Sequence, residues 1–580
     1  MKNRLFFISA IALMTLMAFS SCSKVPSSAR LIPKDASCVL RIDVKQIAEK
    51  AEEGGTDSWK QMMKDEIKNA GMSRQATDLL LAIIDKPKKL GLDLRDPVFA
   101  YFRDAQPKGL NNLFGNEADI EEEVLVTDST GSLENEIVDE EEIVESTDIV
   151  EDDDNNILEG LDMNDASENI EFGLVATVYD ADDFENVIQT LRKELDIKLQ
   201  KANDNVRYLL LNEAVLVFNN DYLLFTTSLQ DETEEAMLTR AKNQLKQDKE
   251  ESIADNDFFR TMCKKDGDMQ TLFLGQAAAS NPMYASLMML FVPEECKLSD
   301  IASLIDCNMA NGETVFTAEV LTASKAWNKE IKKWSDIMSK MDCDLCQYVD
   351  NNADMMMAMH IDGEKLVEQI ESMPVVKMLP REMKKNIFPM LKTIEGDMMM
   401  GICFDVKKME ISQFNLYAHT KDGKLAKFFG NEILKDDVEQ TGKNLYRIHT
   451  DSTKIDFGWK DGFTFCTFGM ETKPFVKAKN AFDNSVLKGK KSYARINFGI
   501  IEKMKSNPDK SLKGEDLIIL QLLSKFDRLE MYVEEERTSV LRLVNKDDKQ
   551  NLLSIVSNFL RHLPEEVAKM DNDLPATEEN

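Results

Sequence analysis

The sequence predicts an α+β fold. A mixed unit occurs twice in tandem, each copy an antiparallel sheet covered by helices, with an acidic disordered insertion in the first copy only. Three observations predict it. Strand-like runs and helical stripes follow the same order in two parts of the chain, 31–341 and 348–563. Each part holds three short strands in succession with a tight polar turn, and each ends in a hairpin followed by a helix. Between 117 and 168 stand 22 Asp and Glu and no Lys or Arg, with no sustained apolar period.

In the first copy, Cys38-Val39-Leu40-Arg41-Ile42-Asp43 reads as a strand and 44–51 as a helix. Leu79, Leu80, Ile83 and Ile84 share one face of a helix over 78–90, and Pro97-Val98-Phe99-Ala100-Tyr101-Phe102 is a strand. The insertion, 116–169, carries only isolated apolar pairs and is read as a disordered loop. A strand over 170–178 precedes a helix striped by Phe184, Val187, Ile188, Leu191 and Leu195. Strands follow at 206–211, 215–218 and 222–225. Asn219-Asn220-Asp221 joins the last two, residues that tolerate the positive φ of a tight hairpin. A polar helix (232–249), a strand (270–275), a short helix (282–291) and two strands (303–309, 314–321) come next. Trp327, Ile331, Trp334, Met338 and Met341 then mark a helix.

The second copy repeats this order. It places strands at 355–361, 397–404, 411–420, 445–448, 454–459, 463–468 and 492–498. Helices are expected at 364–370, 381–391 and 517–523, and along Leu425, Phe428, Phe429 and Ile433. Lys460-Asp461-Gly462 is the stronger hairpin signal. A hairpin of 529–533 with 539–544 and a closing helix from Leu552 to Leu563 complete it, and 564–580 reads as a polar tail.

The N-terminus addresses the chain. Lys2 and Arg4 precede an apolar run over 5–19 and then Ser20-Ser21-Cys22, the pattern of a secretory signal peptide over 1–21. The run is short of the roughly 20 apolar residues a spanning helix needs. The small pair before Cys22 is similar to the bacterial lipobox, which implies cleavage before Cys22 and lipidation of that residue, with a tether over 22–30.

The mature chain resembles an uncharacterised family of lipoproteins from Bacteroides-type bacteria, known only as a domain of unknown function. The residues that carry this are Phe19-Ser20-Ser21-Cys22, Ile32-Pro33-Lys34-Asp35-Ala36 leading to Arg41-Ile42-Asp43, and Leu92-Asp93-Leu94-Arg95-Asp96-Pro97. The resemblance implies a cell-envelope protein and assigns no activity. By similarity to lipoprotein sorting rules, Ser23 after the cysteine implies the outer membrane. The absence of acidic residues in Ser23-Lys24-Val25-Pro26-Ser27 implies a face toward the periplasm.

The net charge of −33 in 580 residues argues against nucleic acid or anionic headgroups as charge-driven partners. Beyond Cys22, eight cysteines are spread thinly. Cys343-Asp344-Leu345-Cys346 alone has motif spacing, and the flanking Asp342 and Asp344 disfavour a reactive thiolate, so structural thiols or a local disulfide are expected before redox or zinc chemistry. Strand alternation puts Met355, Met357 and Met359 on one face and Met398 and Met400 on one face of another strand. Such thioethers suit Cu(I), but adaptable core packing is the expected use. Asp152, Asp153 and Asp154 are a weak cation candidate without the spacing of a calcium loop. The four histidines include no metal-ligand pair, and no nucleophile elbow or phosphate-binding glycine loop occurs.

No cofactor is therefore predicted and no catalytic residue assigned. The expected function is a non-enzymatic binding or scaffold module, anchored to the membrane by its N-terminal lipid and meeting a protein or envelope polymer. The alternatives are an envelope hydrolase using unmarked carboxylates and, more weakly, a metal-handling lipoprotein.

Overall fold

The structure is a computed structural model. It describes residues 25–53, 58–104, 170–195, 198–202, 205–276, 292–377, 379–408, 410–430, 438–449, 454–469, 474–505 and 514–573. Cys22, the signal segment, the insertion with Asp152, Asp153 and Asp154, and the helix expected over 282–291 lie outside the described residues.

The first unit contributes ten strands: β1 (Cys38–Ile42), β2 (Val98–Asp104), β3 (Ile170–Thr177), β4 (Gln200–Lys201), β5 (Arg207–Leu210), β6 (Ala214–Phe218), β7 (Tyr222–Thr227), β8 (Met269–Leu274), β9 (Ile301–Ala310) and β10 (Glu313–Thr322). Its helices are α1 (Val44–Glu53), α2 (Ser58–Asn69), α3 (Arg74–Asp85), α4 (Ala181–Leu195), α5 (Glu234–Lys246), α6 (Asp257–Met262) and α7 (Lys325–Ile337). The second unit contributes β11 (Met355–Asp362), β12 (Ile394–Asp405), β13 (Glu410–Thr420), β14 (Val438–Gly442), β15 (Leu445–His449), β16 (Lys454–Lys460), β17 (Phe463–Phe468), β18 (Ser492–Asn497), β19 (Phe526–Glu535) and β20 (Thr538–Asn545). Its helices are α8 (Gly363–Ser372), α9 (Pro374–Lys377), α10 (Arg381–Leu391), α11 (Lys424–Phe428), α12 (Gly499–Lys505), α13 (Gly514–Leu523) and α14 (Leu552–Asp573).

Every strand pair among the described residues is antiparallel. In the first unit the strands lie side by side as β4-β5-β6-β7-β3-β2-β1-β8-β9-β10. In the second the order is β14-β15-β16-β17-β13-β12-β11-β18-β19-β20, the same path ten strands on. The last strands of the two units pair with each other, from Glu313 opposite Val544 to Glu319 opposite Thr538. Among the described residues one sheet of 20 strands results, an α+β architecture built from a repeated mixed unit.

Two faces of this sheet differ. On the back, Val39, Phe99, Tyr101, Val175, Leu224, Leu272 and Leu304 meet α5, α6 and the N-terminal segment, forming the main core of the first unit. Met356, Ala358, Met399, Tyr417, Phe465 and Tyr493 form the matching core of the second, under the linker residues Leu345 and Val349. On the front, α1 to α4 cover one end of the first unit at Val98, Ala176, Phe218 and Leu223.

Local chemistry accounts for several boundaries. Pro87 cannot donate a backbone hydrogen bond, and the helix expected over 78–90 divides into α3 and a 3₁₀ turn, Pro87–Leu90. Asp461 (φ 53°) and Gly462 (φ 88°) make the left-handed hairpin turn read at Lys460-Asp461-Gly462. The Asn219 turn closes differently from expectation. The Asn219 side-chain oxygen accepts from the backbone N–H of Asp221 (2.9 Å) and Tyr222 (2.8 Å) instead.

Three expectations are corrected. The chain is already packed at 25–31, where Ser28, Ala29 and Leu31 are fully buried, because a 3₁₀ turn docks on α5 and β3. The polar tail continues the closing helix past Pro564 to Asp573. The helix expected along Leu425, Phe428, Phe429 and Ile433 is α-helical over Lys424–Phe428, and Ile433 lies outside the described residues. The edge strands β4 and β14 and helices α2, α6 and α12 were not foreseen.

Candidate functional site

The registers identify a front face without charge. One cross-strand row runs Ile42, Met269, Cys307, Phe316, Leu541, Met531. It continues through Ala494, Met357, Met400, Leu416 and Cys466. A neighbouring row runs Leu216, Phe225, Leu174, Ala100, Leu40, Thr271, Ile305, Ala318, Ser539, Val533 and Ser492 to Met359. Neither row contains an Asp, Glu, Lys or Arg. The back of the same central strands is charged, with Glu530 opposite Arg542 and Gln270 opposite Asp306.

Much of this front face is open. Met531 is 53% exposed, Phe273 46%, Phe102 41%, Met357 39% and Met355 36%. Phe102 and Phe172 extend it as a tilted pair with ring centroids 5.2 Å apart. Helices border the face on both sides. At one border Leu552 and Leu553 of α14 and Ile47 of α1 pack on Ile42, Met269, Cys307 and Phe316. At the other, Trp327 and Trp334 of α7 and Met338 just after it line a cleft of about 220 Å³ against Val320 and Val533, whose wall also carries Glu330, Lys491, Glu535 and Glu536. The face is therefore the floor of a trough crossing the seam between the units. Exposed apolar surface this continuous marks an interaction site.

The methionines of β11 and β12 divide between this face and the core. Met357 pairs with Met400 and Met359 with Met398 across β11 and β12, as alternation predicts. The core reading is corrected, because Met356 and Met399 are the buried members while Met355 and Met357 face the trough. The run Met355-Met356-Met357-Ala358-Met359 is apolar on both strand faces, and alternation alone does not say which face is covered.

Two polar clusters lie behind the sheet's apolar front, each tied by ion pairs and hydrogen bonds. A groove of about 720 Å³ beside α5 is lined by Pro33, Arg103, Arg240, Gln244, Gln247 and Glu251 among others. Behind two of these residues Glu171 is fully buried, with Arg103 and Arg240 each 2.8 Å away. The Tyr101 and Thr226 hydroxyls donate to the same carboxylate at 2.7 and 2.8 Å. Gly173 makes this possible, since a Cβ there would lie 2.1 Å from the Tyr101 ring. Burial, and then the Glu171 charge, push the Tyr101 hydroxyl well above its ordinary range.

In the second unit, His360 Nδ1 lies 2.9 Å from Asp397, whose other oxygen accepts the backbone N–H of Asp342 (2.7 Å) and Cys343 (2.8 Å). His419 lies 2.9 Å from Asp344. Cys343 and Cys346 are free buried thiols. Burial first, then nearby charge including Asp397, pushes them up to about 11 and about 12, the opposite of a reactive pair. Among the described residues no disulfide forms and no three His, Cys, Asp or Glu side chains converge as a metal site.

Acid–base work would need a carboxyl group raised toward neutrality. Every displaced carboxyl group among the described residues moves down instead. Arg95 lowers Asp93. Burial alone would raise Glu530, but Arg528, Tyr493 and Arg542 hold it below the ordinary range. A carboxylate depressed in the folded state contributes stability that is present above its unfolded pKa of about 4.3 and is lost as pH falls through the folded value. Glu530→Gln is therefore expected to flatten the fall in urea midpoint between pH 5 and pH 3. An unchanged acid limb would show that the cluster is not linked to folding.

Compared with known families, residues 154–553 match the one described as Domain of unknown function (DUF4836). The chain belongs to the DUF4836 family. The N-terminal motifs that resemble envelope lipoproteins precede the matched DUF4836 residues. No curated protein matches this DUF4836 chain. Among solved structures, crystal form I of TP0453 is 11% identical at a TM-score of 0.24, covering 54% of this chain and 85% of that one. Crystal form III of TP0453 is 12% identical at 0.21, covering 37% and 97%. Likeness this slight carries no argument. No helix among the described residues is long and apolar enough to cross a membrane, which says nothing of strands.

Proposed function

We propose that this DUF4836 protein is a lipid-anchored envelope protein, held at the outer membrane on the periplasmic side. It works without catalysis by binding a partner on the front of its sheet. The observation that carries this reading is the uncharged floor shared by both units, partly buried at Phe316 and Leu541 and exposed at Met531 and Met357. Apolar area removed from water stabilises by roughly 25 cal/mol per Å², and leaving this floor bare forgoes that energy. The resemblance of Phe19-Ser20-Ser21-Cys22 to a lipobox supports the location.

A photoreactive benzoylphenylalanine at Met531 or Met357, irradiated in intact cells, should form adducts with an envelope component. The same residue at Lys264, which is exposed elsewhere, should not. No adducts from the floor, or the same adducts from Lys264, would contradict the reading.

A further inference from the structure

We infer that the occupant of the trough is the acyl chains of phospholipid molecules, lying on the apolar floor between α7 and α14. This rests on the binding reading above and names its ligand.

The chemistry of the floor favours an acyl chain over a protein. Protein interfaces carry about one hydrogen bond per 100–200 Å². Here the backbone groups of the central strands are already paired within the sheet. The floor's polar side chains are a few hydroxyls, such as Thr271, Ser492 and Ser539, and charge is confined to the wall beside α7, at Glu330, Lys491, Glu535 and Glu536. A docking protein would have to bury its own polar groups with little to receive them, whereas an acyl chain has none to satisfy. The thioethers of Met357, Met400 and Met531 suit chains of variable shape, since methionine adapts its packing at low cost.

The shape favours single lipid molecules over a bilayer surface. Helices roughly 10 Å thick stand on both borders of the floor, at Leu552 and at Trp334. A flat membrane surface meets those helices before it reaches Phe316 or Leu541, while a single acyl chain can lie between them.

The length of chain outside the structure favours the same source. Val25 already packs against the core of the first unit. Only two residues separate it from Cys22, so a lipid on Cys22 would lie within about 10 Å of the folded body. The body is then held against the bilayer, where acyl chains are the abundant apolar partner.

The test uses the full chain carrying Cys22→Ala. It is mixed with sonicated vesicles of dioleoylphosphatidylcholine, separated from them by flotation, and assayed for phospholipid phosphorus. At least one phospholipid per chain should remain with the protein. Met357→Glu combined with Met531→Glu should lower this at least tenfold, and Met531→Glu alone should move it in the same direction. Both methionines are exposed, so these variants should keep the parent melting temperature, and Lys264→Glu should keep its lipid. No phospholipid on the parent chain, or equal amounts on the glutamate variants, would overturn the inference. If phospholipid is absent while photoadducts from Met531 to an envelope protein persist, the acyl-chain assignment falls and the binding reading stands. If both are absent, both fall.

Discussion

Glu171→Ala should destabilise the protein by about 3–5 kcal/mol, the usual cost of removing one partner from a buried charge cluster. Glu171 has no exposed surface, and the Arg103 and Arg240 side chains keep only 20% and 18% of theirs. With the carboxylate gone, Arg240 retains Glu232 at 2.8 Å. Among the described residues Arg103 then keeps its longer contact with Asp35, at 3.4 Å on the surface. The Tyr101 hydroxyl also loses its acceptor, although Gln244 still donates to it. Glu171→Gln should cost less, because the amide oxygen still accepts from Tyr101 and Thr226. Urea midpoints check this, and a Glu171→Ala midpoint within about 1 kcal/mol of the parent would show that the cluster contributes nothing net.

Asp397→Ala should have a comparable effect in the second unit. This carboxylate accepts two backbone N–H groups from the linker and meets His360, and its side chain is 5% exposed. Two donors at the linker lose their acceptor, at about 1–3 kcal/mol each where they are buried. The Asp342–Cys343 backbone also loses its attachment to β12. Asp397→Asn retains one acceptor oxygen and should fall between the two. Because β10 pairs with β20 along seven positions, one transition is expected to shift in both the Glu171 and Asp397 variants. Separate transitions, each sensitive to one variant, would show that the units unfold independently.

Most of the strand path was legible in the sequence, for physical reasons that particular residues show. The stripe through Phe184, Val187 and Leu191 and the Asp461-Gly462 turn are local signals, and both form as read. Repetition of element order anticipated the shared pairing path, because each unit meets the same packing problem. β14 was illegible because Val438-Glu439-Gln440-Thr441-Gly442 is an exposed edge with a bulge, where burial imposes no alternation. The packed segment at Ala29 and Leu31 was missed because Pro26 and the serines read as a tether.

The trough was legible only in part. Strands such as Met355-Met356-Met357-Ala358-Met359 are apolar on both faces, which normally means both faces are covered. The uncharged row emerges only when registers align residues hundreds of positions apart, such as Cys307, Leu541 and Met357. The signal that was available is the lack of polar alternation on many strands of one antiparallel sheet.

The most direct test of the trough is thiol accessibility on the folded chain. Single cysteines in place of Met531 and Met357 would be timed against a maleimide, with labelled positions read by mass spectrometry. The account predicts that both label within about tenfold of a cysteine at exposed Lys264, while the buried native thiols Cys263 and Cys346 stay unlabelled, as burial of the thiolate requires. Protection of both positions to the level of Cys263 would mean that the floor is closed, and the binding account would fail.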